Sequence, residues 1–180
     1  MITKQKKGLQ FETYVYQNLK KYWGITLTHC KTKQEQYTIG ENYEGWEIKN
    51  DQTFKKTGNL YISVERRYQH ATYPSGIFKD QKVKQRFYVI GDRNKCYVFS
   101  TKLLQQYYCK NKPKLRPGFI TKNQGTEYGF LLNTQQAERL TLGYLCNEIN
   151  LFCKKSVFKH IFNSECTSLV KNKQSSSQAA

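Results

Sequence analysis

Two short runs hold the residues best suited to chemistry, Gly45-Trp46-Glu47-Ile48-Lys49-Asn50-Asp51 and Gly58-Asn59-Leu60-Tyr61-Ile62-Ser63-Val64-Glu65. Strand alternation puts Trp46, Ile48 and Asn50 on one side of the first run and Glu47, Lys49 and Asp51 on the other. In the second run Leu60, Ile62 and Val64 form the apolar side, and Tyr61, Ser63 and Glu65 lie opposite. If the runs are neighbouring strands, Glu47, Lys49 and Glu65 meet in one place. Two carboxylates can hold a hard divalent cation such as Mg2+, and a lysine beside them can stabilise charge on an attacked phosphate. Such a grouping suits metal-dependent cleavage of a phosphodiester.

The flanking elements must bring these residues together. Phe11, Val15, Leu19 and Tyr22 recur at helical spacing, with Gly24 as a stop, and predict a helix over Gly8–Tyr22. Glu12 lies beside that stripe, as an exposed helix acid or as a third acid of the site. A short strand is expected over Gln36–Ile39, leading into Glu41. Asp51–Gly58, which contains Lys55 and Lys56, reads as a turn joining two antiparallel strands. Tyr73-Pro74-Ser75-Gly76 marks a further turn. Strands follow at Phe87–Ile90 and Cys96–Phe99, and then a short helix from Thr101 to about Tyr108. A hairpin is expected from Phe119–Thr121 and Tyr128–Leu132. The last large helix starts at Asn133 or Thr134, with Gln136 placed for a capping box and Ala137, Leu140 and Tyr144 as its buried stripe. This order implies an α/β fold with a central mixed sheet flanked by helices. Glu47 and Glu65 are expected on adjacent antiparallel strands, facing the same way. The domain spans 1–170, and the Lys-, Ser- and Gln-rich stretch 171–180 is expected to be disordered.

Glu12, Glu47, Lys49 and Glu65 in this setting resemble the PD-(D/E)XK nuclease superfamily, which implies a restriction-endonuclease-like fold. The resemblance covers roughly the first hundred residues. Members carry a glutamate on a first helix, an acid on one strand and a (D/E)-x-K triplet on the next. One alignment takes Glu47 as the strand acid and Ser63-Val64-Glu65 as the triplet, with serine replacing the acid and glutamate the lysine. Another reads Glu47-Ile48-Lys49 as the triplet, with Glu41 or Glu44 as the preceding acid; it restores every residue type and leaves very little chain for the intervening hairpin. The first alignment implies a degenerate metal site that needs no cofactor, in a DNA-binding subunit of a DNA-modifying complex. The alternative is an active Mg2+-dependent endonuclease, with Glu47, Lys49, Glu65 and Glu12 catalytic and Glu47 and Glu65 holding the cation. The Lys-, Gln- and Asn-rich style is also similar to that of ciliate proteins, such as a small accessory subunit of a DNA adenine methyltransferase complex, without a shared motif.

Charge decides the class of partner. The 180 residues hold 30 Lys and Arg against 13 Asp and Glu, a formal net charge of +17, far above what solubility requires. A polyanion is the partner such a surface fits. Lys55, Lys56, Arg66, Arg67, Lys110, Lys112, Lys114 and Arg116 are the candidate phosphate contacts, the last four in an extended connector with Pro113 and Pro117. The 14 Tyr and 10 Phe admit base stacking on RNA as well, although many fall on apolar faces where core packing explains them. No signal-type or membrane-spanning apolar run is present, so an intracellular site is expected, nuclear if the source is eukaryotic. Six cysteines at wide spacings do not read as a disulfide framework. Cys146, Cys153 and His160 recur every seventh residue, too far apart on a helix to share one zinc ion. Duplex DNA binding is expected to weaken steeply with salt. Neutralising Lys110, Lys112, Lys114 and Arg116 together should flatten the log–log salt slope by about 3 to 4; an unchanged slope removes the connector from the interface.

Overall fold

The computed structural model describes residues 4–38, 41–79, 85–121, 125–146 and 152–153. It is a mixed α/β structure with two sheets. Helix α1 (Lys4–Asn18) continues through a wide π-helical turn, Leu19–Trp23, and ends on left-handed Gly24. A short α2 (Lys33–Thr38) precedes β1 (Trp46–Asn50), and α3 (Phe54–Thr57) leads into β2 (Asn59–Arg67) and β3 (Thr72–Pro74). Strands β4 (Phe87–Gly91) and β5 (Lys95–Ser100) are followed by α4 (Thr101–Asn111), β6 (Arg116–Thr121) and β7 (Gly125–Asn133). The described chain closes with α5 (Thr134–Leu140), β8 (Gly143–Cys146) and β9 (Phe152–Cys153).

The first sheet runs β1-β4-β5-β8-β9 and is mixed, because β1 pairs with β4 in parallel and the other pairs are antiparallel. The second, β3-β2-β7-β6, is antiparallel throughout. Every residue of β4 is buried, which explains its unbroken apolar sequence. Phe87 and Val89, with Cys96 and Val98 of β5 and Trp46 and Ile48 of β1, pack beneath the Phe11, Val15, Leu19 stripe of α1. Tyr88, Ile90, Tyr97 and Phe99 face the other way, against Leu60, Ile62, Phe130 and Leu132 of the second sheet. The layers are therefore helix, mixed sheet, antiparallel sheet.

This layering corrects several expectations. One face of the mixed sheet meets a second sheet rather than helices. The Asp51–Gly58 segment carries the chain from one sheet to the other, so β1 and β2 are not neighbours and Glu47 and Glu65 do not share an antiparallel pair. Gln36–Thr38 belongs to α2, where Glu35 accepts from the Lys31 and Thr32 backbone N–H groups and so favours a helical start over a strand. The last helix is shorter than expected: its capping box on Asn133 and Gln136 forms, but Thr141 leaves helical geometry and Tyr144 lies in β8. Ile39, His160 and the 171–180 tail lie outside the described residues.

Gly76 shows how tightly the second sheet is joined to its neighbours. It sits at φ +52°, and a Cβ there would lie 2.1 Å from the Ser63 carbonyl oxygen. Gly76→Ala is expected to lower unfolding free energy by about 2 kcal/mol or more. Gly8→Ala, in an open position of α1, should instead raise it by up to about 1 kcal/mol. Urea titration of both variants checks the pair; equal effects overturn this packing.

Candidate functional site

Strand β1 lies at the edge of its sheet, so half of its backbone groups need partners from outside the ladder. Asn42, fully buried, supplies two: its Oδ1 accepts from Trp46 N–H at 2.9 Å and its Nδ2 donates to the Trp46 carbonyl at 2.7 Å. Glu41 supplies the next, its Oε2 accepting from Ile48 N–H at 2.9 Å. The second carboxylate oxygen of Glu41 then accepts from Lys49 Nζ at 3.1 Å. Trp46 and Ile48 are buried beneath α1, so alternation turns Glu47 and Lys49 to the opposite face. There Lys49 also pairs with Glu47 Oε1, and Glu47 is only 3% exposed. The lysine side chain, 42% exposed, remains open to a ligand.

Three acids share this one ammonium. Burial pushes the Glu41 carboxyl above its usual range; Lys49 and the Ile48 N–H oppose the shift, and Glu47 and Glu12 add to it. Burial likewise raises Glu12, whose carboxyl feels both Lys49 and Glu47. Burial works against charge on Lys49, but Glu47 and Glu41 outweigh it and hold the ammonium well above the usual lysine range. Tyr88, the register partner of Glu47 on β4, is 1% exposed. Burial raises its phenol far above the usual range, and the hydroxyl feels Lys49, Glu47, Glu127 and Glu41.

The structure brings Glu12, Glu47 and Lys49 together and leaves Glu65 out. Glu65 instead accepts from Arg67 Nε at 2.6 Å, beyond a bulge that shifts the β2–β7 register between Ser63 and Glu65. Arg67 lies over the Tyr128 ring, 4.1 Å from its centre. Ser63 donates to Glu127 Oε1, which also accepts from Ser75 at 3.1 Å, so the serine serves an internal network of the second sheet. Asp51 accepts from Thr53 N–H at 3.0 Å, ahead of α3, and from Tyr61 N–H at 3.0 Å, tying the end of β1 to β2. Lys55 and Lys56 are exposed on α3, Arg66 is half-buried, and Lys110, Lys112, Lys114 and Arg116 are exposed around the end of α4 and the start of β6. Sequence reasoning missed Tyr88, whose apolar setting reads as core, and Glu127, which no local pattern marks. Glu41 was visible only as the preceding acid of the second alignment.

No protein-family model, curated protein or solved structure matches this chain. Among the described residues, no group of three or more His, Cys, Asp or Glu side chains is drawn up to hold an ion. The Lys49 ammonium bridges Glu41 and Glu47. The donor set nevertheless fits a hard divalent cation. Three carboxylates against one ammonium leave surplus negative charge when all are ionised, and carboxylate oxygens are the donors such an ion takes.

The folded chain holds the Glu12 and Glu41 protons more tightly than an unfolded chain does. Lowering pH through the carboxylate range therefore adds stability at these two residues. Lys49→Ala removes the shared cation and should cost about 1–2 kcal/mol at pH 7, discounted because the lysine is partly exposed. The deficit should shrink toward pH 5 as the carboxyls protonate. Denaturant titration at both pH values checks this; a pH-independent loss overturns the electrostatic account.

Proposed function

We propose that the chain is a metal-dependent phosphodiester hydrolase of the PD-(D/E)XK type acting on nucleic acid, DNA foremost. The observation that supports this reading is the meeting of Glu47 and Lys49 of the edge strand β1 with Glu41 of the segment before it. In the second alignment Glu47-Ile48-Lys49 is the triplet, Glu41 the preceding acid and Glu12 the helix acid. The geometry favours that alignment because its residues converge, whereas Glu65 stands apart on the Arg67 ion pair.

Glu41 and Glu47, with Glu12 nearby, would hold a divalent cation such as Mg2+, which when bound neutralises phosphate charge and lowers the pKa of a water. The part played by the chain's own residues follows from their surroundings. Lys49 stays charged throughout the physiological range and is exposed enough to donate to a phosphoryl oxygen. Glu47, buried and bonded to Lys49, holds the ammonium in place. The net charge of +17 draws a polyanion to the surface. Ser63, the residue that makes the metal site degenerate in the first alignment, is engaged with Glu127. The role of DNA-binding subunit in a larger complex then becomes the competing outcome of the test.

Plasmid nicking and an electrophoretic shift, run together with and without Mg2+ or Mn2+, decide between them. Metal-dependent nicking is expected, reduced by about 10² to 10³ in Lys49→Met with DNA binding retained. Glu47→Gln should lose nicking at least as severely. Binding without cutting in the natural chain would replace the enzyme by a binding subunit, and absence of both would remove nucleic acid as the partner.

A further inference from the structure

We propose that the tip of the β2–β3 hairpin is a stacking platform for an unpaired nucleobase, so that the chain selects nucleic acid with a single-stranded segment. This rests on the nucleic-acid reading above and goes beyond it by naming a second site and a substrate class. The hairpin turns at Tyr68–Ala71, closed by Tyr68 N–H donating to the Ala71 carbonyl at 2.8 Å. Its two tyrosines are outside any core: Tyr68 is 42% and Tyr73 57% exposed. Their rings meet edge to face, 5.6 Å between centres and 86° between planes. Such a contact occupies one broad ring face and leaves others for a ligand. With Gln69, His70 and Ala71 they line an open cleft of about 580 Å³.

The platform is built rather than loose. Gly125, at φ +75° where β7 begins, lies so close that a Cβ there would stand 3.1 Å from the Tyr68 ring and 2.5 Å from the Arg67 carbonyl. Glycine thus lets the start of β7 lie against the Tyr68 ring. Ring faces flanked by an amide and an imidazole suit a base, which stacks by its face and bonds by its edge. Arg66 and Arg67 precede the turn directly, and the whole chain is strongly basic, so charge favours a nucleic acid over an apolar protein surface. In duplex the base faces are already stacked on one another, which leaves an unpaired nucleotide as the occupant.

The hairpin is also tied to the carboxylate–lysine site. Two residues beyond Tyr73, Ser75 donates to Glu127, and the Tyr88 hydroxyl feels both Glu127 and the Glu41, Glu47 and Lys49 group.

Fluorescence anisotropy at one salt concentration, with EDTA present, tests the proposal on the full chain. The probes are a labelled single-stranded DNA, its RNA counterpart and a blunt duplex of the same sequence. Tyr73→Ala should weaken both single strands by roughly 10-fold and the duplex by less than about 2-fold, and Tyr73→Trp should keep single-strand affinity. Tyr73 is exposed, so a thermal melt matching the natural chain is expected for both variants. Unchanged single-strand affinity in Tyr73→Ala, or equal losses on single strand and duplex, overturns the platform and leaves the hydrolase reading standing. No binding of any probe by the natural chain overturns both.

Discussion

Everything proposed for this chain depends on how the outer edge of β1 is satisfied. An edge strand in a closely packed sheet presents backbone groups with no ladder partner, and leaving them bare costs about as much as a lost hydrogen bond. Two consecutive side chains resolve this. Asn42 answers both backbone groups of Trp46, and Glu41 answers Ile48 N–H. A carboxylate used in this way has one oxygen left, and the strand's own alternation puts Lys49 within its reach. A requirement of backbone satisfaction thus delivers a second acid to the Glu47–Lys49 pair. The buried Asn42 is fixed by two bonds and has little freedom to move, which in turn fixes the neighbouring glutamate.

The layering explains why the opposite face of β1 can be polar at all. Trp46 and Ile48 supply the burial that anchors the strand beneath α1, so Glu47 and Lys49 need not contribute apolar area. Deeper in the same sheet β4 and β5 are apolar on both faces because a second sheet covers them. Tyr88 stands where these regimes meet, its ring in the inter-sheet core and its hydroxyl under the influence of carboxylates from both sheets. Glu127, held by two serine hydroxyls, is the carboxylate of the second sheet.

Local signals in the sequence were legible where a few adjacent residues decide the outcome. Gly24 ends the first helical segment in left-handed geometry, and Asn133 with Gln136 forms the capping box that its spacing implies. The β4–β5 hairpin and the β6–β7 pairing follow from apolar runs separated by turn residues. Periodicity failed where distant contacts override it. Tyr144 continues a helical stripe after Ala137 and Leu140, yet the chain turns at Thr141, whose hydroxyl lies 2.9 Å from the Val98 carbonyl, and enters β8 beside β5. The short α2 was likewise misread, because its apolar residues are too few to fix a period.

By itself the sequence determined the basic charge, the alternation that puts Glu47 and Lys49 on one face, the helix bearing Glu12 and most strand positions, since each depends on residue type or on neighbours within one turn or strand. Only the tertiary structure decided which strands are neighbours. Two runs separated by a short Asp51–Gly58 segment look like a hairpin, but Asp51 accepts from Thr53 and Tyr61 N–H on either side of α3, and the chain crosses to a second sheet. Pairing between strands that no tight turn joins is a long-range choice made by the burial of both faces, and no local pattern encodes it. That choice separates Glu65 from Glu47, gives Ser63 to Glu127, and sets Glu41 beside Lys49.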